Sequence, residues 1–243
     1  MNTFLEAEWR NLILANYAID PQLLQNFLPF GTEIDFWQGT CYVSLVGFRF
    51  LNTKVRGLKI PFHIHFTEVN LRFYVRHLSA DGEWRRGVVF LSEIVPKPAI
   101  TLVANTLYKE NYHTKPMRHL WSKTATDLRV RYEWKHRGRW HQLLASGALQ
   151  ADTLATDSEA AFITEHYWGY AKINDHKTMQ YQVQHPSWRI HPVKDFTVDA
   201  DFKSLYGDAF ASLNQQQPRS VFLAEGSEIK VNKAEERIER RKI

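Results

Sequence analysis

The chain has 243 residues, a formal net charge of +5 and 44% hydrophobic residues, with 15 Phe, 10 Tyr and 8 Trp. So much bulky apolar surface excludes the disordered class, and the length suits one large β-rich domain over residues 1–243. The single cysteine, Cys41, excludes an internal disulfide. With no basic-then-apolar leader and no apolar run near the ~18 residues of a membrane helix, a cytoplasmic protein with no membrane partner is expected.

Residues 9–19 are rich in apolar side chains and end at Asp20-Pro21, where Asp caps and Pro enters a first helical turn. Residues 21–27 are therefore expected to be short and helical. Pro29 and Gly31 end that turn before a strand near 33–37, Gln38-Gly39 makes a tight turn, and 42–50 reads as a strand. A connection through Arg56, Gly57 and Pro61 leads to 66–75, the most informative stretch. Its strict alternation puts Thr67, Val69, Leu71, Phe73 and Val75 on one face and Glu68, Asn70, Arg72 and Tyr74 on the other. This fits a half-buried strand with its polar side in water, and equally a strand whose polar side lines a barrel.

Asp81-Gly82 is a hairpin turn, so 88–95 is the returning strand. Pro96 and Pro98 break it, and Ile100, Val103, Ala104 and Leu107 then recur at helical spacing, which predicts a helix over 99–108. Strands resume over 113–123 and continue through a hairpin over 128–149 that turns at Arg137-Gly138. Its basic and aromatic residues are the nearest approach to a nucleic-acid surface; they read as the decorated outside of two strands, and no nucleic-acid partner is expected. A polar connection over 153–158 precedes a short helix within 159–170, and the rest to 231 is strand-like except near 202–210. From about residue 225 the charges mix in sign, as in Lys230, Lys233, Glu235, Glu236 and Arg237, and read as a charged C-terminal tail. Within it, Ile229, Val231 and Ile238 would suit a terminal strand followed by a helix. About ten strands and three or four short helices make an α+β protein built around a closed or nearly closed antiparallel barrel.

Within 88–95, Glu93 shares a face with Val89, Leu91 and Val95 and is the only ionisable group there. A barrel interior would raise its pKa, and Glu68 would then be its partner in acid/base work; the alternative is an ion pair with Arg72 or a nearby lysine. Arg49 ends the face of Val43, Leu45 and Gly47 and suits a two-point clamp on a carboxylate. His63 and His65 share a face without a third ligand at metal spacing, so no metal is assigned. The chain has no phosphate loop, nucleophile elbow or dinucleotide glycine pattern, and no cofactor is expected. Lys109 and Lys115 flank Tyr112-His113, and a desolvated amine there would form imines with ketones.

In their order along the chain, Trp9 with Asp20-Pro21, Leu28-Pro29-Phe30-Gly31, Tyr42 to Arg49, Glu68-Val-Asn70-Leu-Arg72-Phe-Tyr74-Val75, Tyr112-His113 and Thr164-Glu165-His-Tyr167-Trp-Gly-Tyr170 resemble the YqjF-like family of uncharacterised proteins. That family is placed in the acetoacetate decarboxylase superfamily. The resemblance implies a cone-shaped, mostly antiparallel closed β-barrel with a few short helices around one cavity, with the Glu68 row facing in. In the decarboxylases the reactive lysine lies in a Tyr-Pro-Lys-Lys segment after a helix. Here Tyr112 takes the Tyr position, His113 replaces Pro, and Thr114 falls where the Schiff-base lysine belongs. Lys115 is left one residue out of register, which on a strand turns it to the other face. The expected function is binding of a small apolar or carboxylate-bearing molecule by Arg49, Asn70, Arg72, Tyr74, Tyr112 and His113. The alternative is a decarboxylase-like or related acid/base enzyme on a keto acid or carbonyl compound, using Glu68, Glu93 and Lys115. A homo-oligomer is left open.

Overall fold

The computed structural model describes residues 3–234 and the backbone of 236–239. In chain order the strands are β1 (Thr3–Ala18), β2 (Glu33–Ile34), β3 (Tyr42–Val55), β4 (Phe66–Leu78), β5 (Trp84–Val95), β6 (Tyr112–Thr114), β7 (Met117–Lys123) and β8 (Asp127–His136). They continue with β9 (Arg139–Ala148), β10 (Trp168–Asn174), β11 (Lys177–Gln184), β12 (Ile190–His191), β13 (Val193–Asp199), β14 (Ser220–Asn232) and β15 (Glu236–Glu239). The helices are α1 (Pro98–Leu107), α2 (Glu159–Thr164) and α3 (Phe202–Tyr206), with 3-10 turns at Pro21–Phe27 and Asp208–Gln215.

The larger sheet runs β12-β14-β1-β3-β4-β5-β10-β11-β15, with β2 added to β4 and β6 to β5. Strand β11, near the far end of that path, also pairs β14 through Val183 with Val231 and Gln184 with Lys230. Most pairings are antiparallel; β5 with β6 and β5 with β10 are parallel. The second sheet, β13-β9-β8-β7, covers one face of the larger one.

The two faces of β4 go to different places. Val69, Leu71, Phe73 and Val75 join Val43 and Leu45 of β3 in an apolar core with Val130, Tyr132, Trp134 and Leu143 of the second sheet. Burial of these large side chains is the main favourable term for joining the sheets. Gly47 is needed at this seam, because a Cβ there would stand 2.8 Å from the Tyr132 ring. The opposite face turns inward, where Phe48, Phe50, Phe66 and Val88 form part of a second apolar cluster.

Turn chemistry follows the sequence closely. Asp20 accepts a hydrogen bond from the Gln22 N–H and opens the 3-10 turn. Gln38-Gly39 and Arg137-Gly138 take positive φ at both residues, the geometry of tight hairpin turns. Helix α1 starts at Pro98, as a proline-led helix does, and ends as Lys109 takes φ 60°. Residues 225–232, where a charged tail was expected to begin but Ile229 and Val231 also suited a terminal strand, lie within β14, whose Ile229 is buried while Glu228 and Lys230 point to solvent. The expected helix after them falls on residues that lie mostly outside those described, apart from β15.

Candidate active-site cavity

The inward face of the larger sheet and α1 enclose a cavity of about 260 Å³. Its wall is mostly aromatic and aliphatic: Trp9, Phe48, Phe50, Phe66 and Phe90 come from the strands, and Ile100, Val103 and Ala104 from α1. Into this apolar setting project Glu68, Asn70 and Arg72 of β4, Glu93 of β5, Glu110, Tyr112 of β6 and Tyr181 of β11.

Glu68 and Glu93 are each only 2% exposed. Asn70 donates through Nδ2 to Glu68 Oε1 at 2.9 Å, and the Tyr112 hydroxyl donates to Glu68 Oε2 at 3.1 Å. Tyr181 donates to Glu110 Oε1 at 2.6 Å. Arg72 donates to the Ile163 carbonyl at 3.3 Å and lies over the Tyr74 ring, 5.6 Å from its centroid. Several buried polar atoms of this wall have no protein partner: Asn70 Oδ1, Arg72 Nε, Glu93 Oε2, Tyr108 Oη and Trp9 Nε1. Such atoms cost free energy unless something hydrogen-bonds to them.

Burial dominates the electrostatics. It raises the Glu68 carboxyl to about 7, against the opposing hydrogen bonds of Asn70 and Tyr112 and the nearby Arg72 charge. Burial lifts Glu110 to about 8, with the Tyr181 hydrogen bond opposing and the Glu68 charge reinforcing. Glu93 is pushed well above the usual carboxylate range by burial and by the neighbouring Glu110 and Glu68 charges. Glu93 and Glu110 are therefore held protonated near neutral pH and Glu68 titrates there, where ordinary glutamates are ionised.

The placement of Glu93 depends on a β-bulge. Leu71 pairs with Ser92 but Arg72 pairs with Phe90, so Leu91 is the extra residue. Val89 and Leu91 belong to the core between the sheets, whereas Glu93 and Val95 turn inward with Val88 and Phe90. A strict two-residue period assigns Glu93 the face of Val89 and Leu91; the inserted residue corrects this by reversing the faces beyond it. Asn111 secures the irregular segment, donating through Nδ2 to the Leu91 carbonyl at 2.6 Å, while its own carbonyl accepts from the Glu93 N–H at 3.0 Å. On α1, Asn105 holds the Tyr112 backbone from both sides, at 3.0 and 2.7 Å.

Not every residue singled out in the sequence reaches this cavity. Arg49 pairs across the sheet with Thr67 and so shares the outward face; it contacts His119 at 2.8 Å and lies over the Trp121 ring. Phe48, the cross-strand partner of Glu68, takes the inward position instead. Lys115 lies past the end of β6 and makes a 2.9 Å contact with His136 Nδ1 outside the cavity. His113 is exposed, and Thr114 bonds to Thr101 of α1 at 2.7 Å. Tyr74 faces inward but is buried beneath α2, against Phe162 and His166, with its hydroxyl 2.7 Å from Ser44. Among the described residues, no lysine lines the cavity, and no group of three or more His, Cys, Asp or Glu could hold a metal ion.

Three cavity groups escape the sequence reading. Glu110 lies in a loop and Tyr181 on a distant strand, with no local pattern to link them. Gly169 brings β10 so close to Tyr181 that a Cβ would stand 2.2 Å from its ring. His166 is also in the wall; burial lowers it to about 4, partly opposed by Asp35, whose Oδ2 lies 3.2 Å from Nε2.

The geometry defines an acetoacetate decarboxylase-like fold. The acetoacetate decarboxylase of Legionella pneumophila superposes with a TM-score of 0.60, at 13% identity, over 95% of this chain and 86% of that one. An acetoacetate decarboxylase-like enzyme from Sphingomonas wittichii gives 0.63 at 12% identity over 96% and 92%. The enduracididine biosynthesis enzyme MppR, complexed with the condensation product of pyruvate and imidazole 4-carboxaldehyde, gives 0.62 at 11% identity over 95% and 87%. In sequence, residues 6–228 match the DUF2071 family, described as an uncharacterized conserved protein, and the chain belongs to that family. The uncharacterized protein YqjF of Bacillus subtilis is 25% identical over 182 residues, covering 74% of this chain and 72% of that protein.

Proposed function

We propose that the larger sheet forms a closed, cone-shaped barrel whose cavity binds a small, largely apolar molecule carrying a carbonyl or carboxyl group, without forming an imine. The carrying observation is an aromatic-walled cavity in which Glu68, Glu93, Glu110 and Arg72 converge and which no lysine among the described residues lines. Protonated Glu93 and Glu110 donate to a ligand oxygen, Arg72 offers its free Nε–H, and the aromatic wall holds the apolar remainder. The structural neighbours support the substrate class, since MppR has also been seen in complex with pyruvate.

Thermal unfolding with pyruvate, acetoacetate and phenylpyruvate tests this reading, together with borohydride reduction and mass spectrometry. The expected result is stabilisation that grows as RT ln(1 + [L]/Kd), with no mass added at any lysine. Failure of all three ligands to stabilise, or reduction of one onto a lysine, would overturn it.

Acid/base catalysis on a carbonyl compound is the second reading, favoured by Glu68 titrating near neutrality beside a carboxyl that stays protonated. The Glu68 carboxylate takes a proton from the carbon next to the carbonyl while Glu93 donates one to the oxygen, giving an enol. Reversal in D₂O places deuterium on that carbon. Proton NMR of pyruvate in D₂O with the protein should then show loss of the methyl signal, and Glu68→Gln should abolish that loss.

A further inference from the structure

The cavity opens between α1 and the 56–65 connection, since Val103 of the first and Ile60 and His63 of the second are in its wall. Both elements present apolar side chains to solvent. Phe62 is 86% exposed, Leu58 72% and Leu102 69%, and Leu107 and Ile60 are exposed beside them. The two elements meet at a smaller surface hollow that contains Arg56, Leu107 and Tyr108. The connection is held as a projecting turn by positive φ at Arg56, Gly57 and Phe62. A large aromatic residue is seldom placed there unless its exposure is used.

The charges that these two elements themselves carry have one sign, with Glu8 of β1 reaching the connection only at Asn52, at its base. Arg56 and Lys59 flank Leu58, while Lys97 and Lys109 bracket the uncharged α1. Neither 51–65 nor 97–109 contains an Asp or Glu, and none of these four cations joins an ion pair among the described residues. Apolar tips set among cations are the chemistry of a segment that lies in a lipid headgroup layer. A second copy of the chain would place the same cations against one another, so charge disfavours self-association through this rim and favours an anionic surface. Among the described residues, no helix is long enough and apolar enough to cross a membrane.

We propose that the cavity mouth docks reversibly on an anionic lipid bilayer, with Phe62, Leu58 and Leu102 entering the interface and Arg56, Lys59, Lys97 and Lys109 meeting the headgroups. Docking would place the mouth where an apolar ligand dissolves. That last step rests on the ligand-binding reading above; the docking itself does not.

Co-sedimentation of the full chain with phosphatidylcholine vesicles, with and without phosphatidylserine, tests the proposal. The expected result is capture by the serine-containing vesicles, weakened by high salt, with each cation changed to Gln lowering the partition about fivefold. Phe62→Asn combined with Leu102→Gln should reduce capture at least about tenfold. Asn tolerates the positive φ at position 62 and Gln suits an exposed helix position, so the double variant keeps its fold. Its circular dichroism and its stabilisation by phenylpyruvate should match the parent. Failure of the parent to bind serine-containing vesicles would overturn the proposal. So would a concentration-dependent dimer that the double variant converts to monomer, because the rim would then be a self-interface. Vesicle capture without any stabilisation by keto acids would support docking and overturn the ligand reading instead.

Discussion

Val69, Leu71 and Phe73 on one face of β4 and Glu68, Asn70 and Arg72 on the other are all buried, yet they meet opposite surroundings. The outward set is packed against Tyr132, Trp134 and Leu143 of the second sheet. The inward set borders a cavity, where Asn70 Oδ1, Arg72 Nε and Glu93 Oε2 have no protein partner. One strand thus fastens the fold with one face and lines the cavity with polar groups on the other. Stability should follow the outward face, and pH response and ligand binding the inward one.

The comparison breaks if the outward face can be emptied cheaply. Phe73→Ala should cost about 3–5 kcal/mol in urea denaturation, because the rigid seam between two sheets leaves a void. A loss below about 1 kcal/mol would mean that the seam relaxes and does not hold the sheets together.

On the inward face the largest effect is pH dependence. A glutamate raised from an ordinary value near 4.3 to about 7, as Glu68 is, gains its proton on folding. Its contribution is fully present below the ordinary value and is lost as pH rises through about 7; for Glu110 the loss extends to about 8. Unfolding free energy should therefore fall between pH 5 and 8, by up to about 1.4 kcal/mol per pH unit for each such carboxyl. Denaturation series at several pH values should show the slope, and Glu68→Gln should flatten it. A stability that rises over this range would contradict the assignment.

Gly169→Ala sharpens the contrast further. The new methyl must displace the Tyr181 ring, and with it the hydrogen bond to Glu110, at a cost of about 1–3 kcal/mol. Keto-acid stabilisation should weaken as well, which thermal unfolding with phenylpyruvate would show. The smallest effect belongs to Lys115→Ala, outside the cavity: stability within about 0.5 kcal/mol of the parent and unchanged ligand stabilisation.

Much of the fold was legible because its signals are local. Alternation divided β4 into its two faces, Asp81-Gly82 and Arg137-Gly138 marked the hairpins, and the spacing of Ile100, Val103, Ala104 and Leu107 gave α1. The site was legible only in part. Glu68, Asn70, Arg72 and Tyr112 reach the cavity, but Glu93 does so through a bulge at Leu91 that the residues around it do not announce. Arg49 was read from its own strand alone, while the pairing of Phe48 with Glu68 decides which face is inward. Glu110 and Tyr181 meet only in three dimensions, and the mixed charges from 225 onward set a tail reading beside the strand reading of β14.

The central claim is that this inward face keeps buried carboxyls uncharged near neutral pH. Carbon-13 NMR titration of protein labelled at the glutamate carboxyls tests it most directly. The prediction is a signal that titrates near pH 7 and vanishes in Glu68→Gln, and another still protonated at that pH that vanishes in Glu93→Gln. If every glutamate carboxyl instead titrates in the ordinary range near pH 4.3, the account of the cavity is contradicted.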